Sequence, residues 1–419
     1  MFSLPRLRPL VAALAGLTLA AGTTRADFAL RDGDTVAFLG DSITAARGYT
    51  KTVELYTLLR FPERRVRFFN AGQGGDTAAG AVGRLERDVF SHGATVVTVA
   101  FGINDIAWGT KADATHKKAY LDGIRTVVEQ CRAHGARVFV CSPAITDVPP
   151  DEAEKGFLQS MTDEGLALAK SLGAEAIDVQ RGMRAVQRRI LEAEKDQKDP
   201  AKRTRLHVAD GVHLNDLGHL SMAYTLLKGL GAPAEVSAVT LDAAQPATPA
   251  GAQGCTASEV KKREDGGVEF TRLDKGLPLN LGSLGALNYR WIPIPDGLDQ
   301  YRLTIKNLPP GDYEITVEGR PLGRENAGAL AAGTNLCSKT ANGWEPGGPW
   351  EAQAFVVKGL VNARNELEGA EGERRRFLAN GPQAAALDGA AKEAENKLVD
   401  LQRATARPYP YHFVVRPVK

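Results

Sequence analysis

From Thr35 to Leu230 the chain alternates short, almost uniformly apolar runs with longer stretches of helical periodicity. Thr35–Leu39, Val66–Asn70, Thr95–Ala100, Arg137–Ser142 and Glu175–Val179 read as strands. Thr50–Phe61, Ala78–Asp88, Ala112–His134, Asp151–Leu172 and Met183–Asp196 read as helices between and after them, and Asp216–Leu230 closes the unit. A run such as Thr95–Ala100 is apolar almost throughout, as a strand must be when helices cover both faces of its sheet. Alternation with short connections argues for a parallel sheet inside a three-layer α/β/α unit. In such units ligands bind beyond the carboxyl ends of the strands. Chemistry is therefore to be sought in the loops that follow the strands.

Four of those loops carry reactive or polar residues. After the first strand comes Gly40-Asp41-Ser42, a tight turn that would lift the Ser42 hydroxyl above the sheet next to helix-terminal N–H groups. Taken alone, Ser42 reads more readily as a helix cap. The turn is not the Gly-x-Ser-x-Gly elbow of the α/β-hydrolases. After the second strand, Asn70-Ala71-Gly72-Gln73-Gly74-Gly75-Asp76-Thr77 leaves the backbone free to offer an N–H to an anion. It matches neither the dinucleotide fingerprint nor the phosphate-loop lysine pattern. After the third strand, Phe101-Gly102-Ile103-Asn104-Asp105 offers an amide N–H donor at Asn104. Before the last helix stands Asp210-Gly211-Val212-His213, whose carboxylate and imidazole are close enough to share one turn. His219, inside the following helix, reads as structural. No other His, Cys or carboxylate cluster completes a metal site, so neither metal nor cofactor is expected.

Together, in this order, the four blocks resemble the SGNH hydrolases, also called the GDSL esterase/lipase family. The likeness covers about Thr35 to Leu230 and implies a flavodoxin-like SGNH fold. Ile43 stands where the family's nickname has leucine, a change that conserves volume. By that resemblance Ser42 is the nucleophile, His213 the base and then the acid, and Asp210 the group that orients the imidazole. The Ser42 N–H, the Gly75 N–H and the Asn104 side chain would form the oxyanion hole. Gly75 is preferred to Gly74 because the family's donor glycine directly precedes Asp-Thr, here Asp76-Thr77. The implied activity is a serine esterase working through an acyl-enzyme. Its expected substrate is a small ester or an acylated glycan carrying short acyl groups such as acetyl. A lysophospholipase or thioesterase is the alternative within the same chemistry, and a noncatalytic ligand-binding module the alternative outside it.

At the N-terminus Arg6 and Arg8 precede the apolar run Leu10–Ala21 and the stretch ending Thr24-Arg25-Ala26. Basic, apolar and then small residues form the pattern of a secretory signal peptide cleaved after Ala26. The run is too short to span a bilayer comfortably. A secreted or periplasmic protein without stable membrane insertion is the expectation. Net charge of +2 gives no reason to expect nucleic acid as a partner.

The expected organisation is a signal peptide over 1–26, a catalytic domain over 27–233, a β-rich region over 234–325 and a helical C-terminal region over 326–419. The segments 268–273, 301–306 and 313–317 read as strands, the last two forming a hairpin around Leu308-Pro309-Pro310-Gly311-Asp312. Trp350–Glu368 and Ala384–Arg407 read as helices. Trp291, Trp344 and Trp350 are candidates for stacking on sugar, although aromatic residues in such segments more often pack a core. Cys131 and Cys141 read as separate buried thiols, while Cys255 and Cys337 are a candidate disulfide pair.

Overall fold

The computed structural model describes residues 27–245 and 249–418. The signal peptide expected over 1–26 lies outside the described residues.

Strands β1 (Thr35–Gly40), β2 (Arg67–Gly72), β3 (Val96–Ala100), β4 (Arg137–Cys141) and β5 (Glu175–Ile177) form one sheet in the order β2-β1-β3-β4-β5. Every pairing in it is parallel. All residues of β3 are buried, which is why that run carries no polar alternation. Chain order reverses between β1 and β3, so the loops after these strands converge at a switch point.

Two expected helices are interrupted. The 78–88 stretch is Ala78–Ala81, a 3-10 turn Val82–Arg84 and then Leu85–Asp88. Arg84 sits in the turn and directs its guanidinium inward to the Gly40 and Ala71 carbonyls. The 151–172 stretch divides into Pro150–Ala153 and Phe157–Ser171, with Gly156 as the extended residue before the second helix.

Beyond residue 233 two further sheets follow. Strands β6 (Glu235–Asp242), β7 (Gly251–Gln253), β10 (Gln300–Lys306) and β13 (Thr334–Asn335) order as β13-β10-β6-β7. Strands β8 (Cys255–Lys262), β9 (Val268–Asp274), β11 (Asp312–Val317), β12 (Arg320–Asn326) and β14 (Tyr411–Pro417) order as β12-β11-β14-β9-β8. The expected hairpin between 301–306 and 313–317 is therefore wrong. β10 runs parallel to β6, β11 pairs with β12 and β14, and the Pro309-Pro310-Gly311 link carries the chain from one sheet to the other. Nor is the chain helical throughout after residue 326. Helices Pro349–Leu378 and Ala384–Ala406 are followed by β14, which returns to pair with β9 and β11.

The later sheets do not form a detached unit. One continuous apolar cluster joins Val36, Phe38 and Leu220 of the first sheet's surroundings to Val239, Phe270, Tyr301 and Phe413. A second cluster, with Leu39, Val97 and Ile124, fills the opposite face of the first sheet. Backbone and ion-pair contacts reinforce the junction. Leu277 N–H donates to the Leu59 carbonyl at 2.7 Å. Arg364 forks onto the Glu54 carboxylate at 2.8 and 2.6 Å, and all of these side chains are buried. On the outer edge of β2, the Asn70 N–H donates to Glu368 of the 349–378 helix at 2.8 Å.

Trp291 and Trp350 are buried, with Trp350 packed against Tyr301, Tyr411 and Phe413, so both serve the core. Trp344 is 85% exposed. All four cysteines are buried and free, so Cys255 and Cys337 are not bridged. Among the described residues no helix is long and apolar enough to cross a membrane.

Candidate active site

Asp41 has extended backbone and caps the helix Ser42–Ala45, its carboxylate accepting the Ile43 N–H at 2.9 Å. Ser42 is therefore the first helical residue and not the cap, so its hydroxyl is free for another partner. That partner is His213: Ser42 Oγ lies 2.8 Å from Nε2. On the other side of the ring, Nδ1 lies 2.6 Å from Asp210 Oδ2. With the Nδ1 proton directed at the carboxylate, Nε2 is left as the acceptor for the serine proton.

The loop that supplies His213 is built to hold it. His207 and Leu214 form an antiparallel bridge, and Val208 N–H donates to the His213 carbonyl at 2.9 Å. Gly211 occupies the left-handed region at φ +71°, and its carbonyl accepts from Asp147 N–H at 2.8 Å. Asp210 Oδ1 takes the backbone N–H groups of Val212 and His213, each at 2.9 Å. Bonds from His213 and these amides hold the Asp210 carboxyl down at about 2. It is ionised throughout the neutral range.

The donor loops meet the serine turn from the other side. Gln73 N–H donates to the Gly40 carbonyl at 3.0 Å. A side chain at Gly72 would collide with the Ala45 backbone nitrogen, so glycine is required where the second loop crosses the serine helix. Gly75 is exposed and left-handed at φ +74°. Asn104 Nδ2 donates to the Asp76 carbonyl at 3.0 Å, which ties the amide to the Gly75-Asp76 turn. Ser42, His213 and Asp210 are thus brought into one hydrogen-bonded relay, and Asn104 and Gly75 into one adjoining turn.

Two residues that sequence reasoning missed hold this assembly. Arg84 is buried and binds Asp76 through Nε at 2.7 Å, the Ala71 carbonyl through Nη1 at 2.7 Å and the Gly40 carbonyl through Nη2 at 3.1 Å. It stitches the first two loops together from beneath. The second is Trp108, whose indole N–H donates to Asn104 Oδ1 at 2.9 Å and whose ring lies edge-on to His213 at 5.7 Å. An arginine within an apolar helical pattern was the available signal for Arg84; for Trp108 it was a tryptophan four residues after Asn104.

Two carboxyls beside the relay are forced upward by burial, Asp41 to about 6 and Asp105 to about 7. His219 is packed against Gly48, and burial pushes it down to about 4, consistent with a structural role.

Residues 38–220 match the model of the GDSL-like Lipase/Acylhydrolase family. That stretch of the chain belongs to this family. The match supports an ester-bond hydrolase. Over its wider length the chain is similar in structure to a gut microbial diltiazem-metabolizing enzyme. That likeness has a TM-score of 0.79 and 23% identity, covering 93% of this chain and 98% of the other. It extends the shared fold well past the acylhydrolase unit into the later sheets and helices. An alpha/beta hydrolase enzyme from the metagenome of Lake Arreo, Spain, aligns over 49% of this chain and 98% of its own at 22% identity and a TM-score of 0.40. An acetylxylan esterase from Geobacillus stearothermophilus aligns over 48% and 96% at 20% identity and a TM-score of 0.39. No curated protein sequence matches the chain.

Proposed function

We propose that the protein is an exported serine esterase that removes short acyl groups, acetyl foremost, from carbohydrate through an acyl-serine intermediate. The observation that carries the chemistry is the relay from Ser42 Oγ to His213 at 2.8 Å and from His213 to Asp210 at 2.6 Å. In the first step His213 Nε2 takes the hydroxyl proton as Oγ attacks the ester carbonyl, and Asp210 stabilises the imidazolium that forms. Negative charge on the carbonyl oxygen falls to the Ser42 N–H, the Gly75 N–H and the second hydrogen of the Asn104 amide, the first being held by Asp76. The imidazolium then gives its proton to the departing alcohol. In the second step His213 activates water, which releases the acid and restores Ser42.

The shallow setting supports a short acyl group on a bulky alcohol. The His213 and Asp210 side chains are 35% and 36% exposed, so the relay is open to an ester presented on a surface. Export rests on the basic, apolar and small-residue pattern over the first 26 residues.

Ser42→Ala should abolish hydrolysis of 4-nitrophenyl acetate and labelling by a fluorophosphonate while leaving the unfolding temperature close to that of the parent. Near-parental activity would remove Ser42 from the mechanism. A series of nitrophenyl esters of rising acyl length tests the substrate: a maximum at two carbons supports the acetyl reading, and a steady rise with length overturns it.

A further inference from the structure

Asn104 carries a side-chain amide, and only one orientation of it presents N–H groups to an oxyanion. Two contacts of opposite polarity bear on that choice. The Trp108 indole N–H points at Oδ1 at 2.9 Å, and Nδ2 points at the Asp76 carbonyl at 3.0 Å. Rotating the amide by half a turn would set donor against donor at Trp108 and acceptor against acceptor at Asp76, losing both bonds.

The backbone goes to some length to put Trp108 there. Ala107 and Trp108 both lie in the left-handed region, at φ +45° and +57°, where side-chain-bearing residues are strained. Three backbone bonds hold the bend: Trp108 N–H to the Ile103 carbonyl at 3.0 Å, Thr110 N–H to Ala107 at 3.1 Å and Lys111 N–H to Ile106 at 3.0 Å. The indole that results is 51% exposed, and its plane stands at 76° to the His213 ring. A large apolar ring would ordinarily be buried; here a strained turn keeps it in solvent beside the base.

We infer that Trp108 has two duties at this site. Its N–H is a positioning group that fixes the Asn104 amide with nitrogen toward the oxyanion. Its exposed face is a platform for the flat ring of the substrate's alcohol portion, which makes the substrate class ring-bearing esters such as acetylated pyranosides. The inference rests on the acyl-serine reading of Ser42 and His213 and deepens it.

Phenylalanine keeps the ring and loses the N–H; alanine loses both. Trp108→Phe and Trp108→Ala are compared with the parent on an acetylated methyl pyranoside and on ethyl acetate, with Asn104→Ala and the double variant Asn104→Ala/Trp108→Phe alongside. For Trp108→Phe the expected result is a fall in kcat of about five- to tenfold on both esters, the worth of one hydrogen bond, with KM for the pyranoside little changed. Trp108→Ala should add a rise in KM of about fivefold for the pyranoside and none for ethyl acetate. Once Asn104 is alanine, Trp108→Phe should cost nothing further in kcat, a coupling that a merely structural tryptophan would not show. Unchanged kcat in Trp108→Phe, or an effect that adds in full to that of Asn104→Ala, overturns the positioning role. Equal KM changes for the two esters in Trp108→Ala overturn the platform. If the parent itself fails to label at Ser42 with a fluorophosphonate, the acyl-serine reading has failed; if it labels and the variants behave as the parent, only this inference has.

Discussion

Asp210 uses its two carboxylate oxygens for two jobs with respect to His213. Oδ2 faces Nδ1 of the ring at 2.6 Å, while Oδ1 takes the backbone N–H of the same histidine at 2.9 Å. The Asp210 carboxylate and the His213 ring are therefore locked as a unit within one short turn, and the carboxylate cannot rotate away without losing both bonds.

This lock makes Asp210→Asn a sharp test. The asparagine can keep the backbone contact, yet an amide placed toward Nδ1 favours the wrong tautomer, with Nε2 protonated against Ser42. We expect kcat to fall roughly 10³- to 10⁴-fold with little change in unfolding temperature. Hydrolysis within tenfold of the parent would show that the imidazole needs no orienting carboxylate.

The oxyanion role proposed for Asn104 is separable from the relay. Asn104→Ala should lower kcat by roughly 10²- to 10³-fold while fluorophosphonate still reaches Ser42, since the serine and base are untouched. An unaltered kcat would take Asn104 out of the oxyanion hole.

Asp105 should leave a signature in stability against pH. Its Oδ1 accepts the Ala78 N–H at 3.0 Å, its Oδ2 is buried without a hydrogen-bond partner among the described residues, and burial pushes the carboxyl up to about 7. The folded chain thus retains a proton that the unfolded chain sheds near pH 4. The stability this confers is present in full below about pH 4 and is lost as pH rises toward 7. Asp105→Asn removes the titration, so its unfolding temperature should change less than the parent's between pH 4 and 8. Parallel profiles for the two proteins would contradict the assignment.

At the junction of the acylhydrolase unit with the C-terminal helices, Arg364 neutralises the buried Glu54, which also accepts from Asn365 at 2.9 Å and from Gln402 at 3.3 Å. Arg364→Met strands the carboxylate and should cost about 3–5 kcal/mol in urea unfolding. Pairing it with Glu54→Gln should restore much of that loss, because no charge is then left buried. Equal stabilities for the single and double variants would show that the ion pair does not hold the junction.

The parallel sheet and its reactive loops were legible because strand, turn and helix alternate there with little long-range interference. The segments 35–40, 96–100 and 137–141 are continuous apolar runs, and Ser42, Gly75, Asn104, Asp210 and His213 stand in blocks that follow strands or precede a helix. The later region was harder to read because its pairings are distant. β10 shows ordinary strand alternation, but nothing local reveals that its partner is β6 and not β11. β14 follows directly on a long helix and joins strands about a hundred residues or more earlier in the chain. Trp108 was missed for a different reason. Its importance comes from a left-handed turn at Ala107 and Trp108, a conformation that neither residue type favours and that tertiary contacts impose.

The bond from Asn70 N–H to Glu368 also bears on how copies of this protein behave toward one another. β2 is an outer strand of the parallel sheet, and an outer strand with free N–H groups is a template on which another chain can pair and seed aggregates. Glu368 occupies one of those groups and sets a carboxylate, itself paired with Arg47 at 3.1 Å, where an incoming strand would have to dock. At the opposite edge β5 is only three residues long, too short to offer much of a template. The helix 349–378 thereby acts as a guard against self-association, so its loss would be felt first in solubility at high concentration.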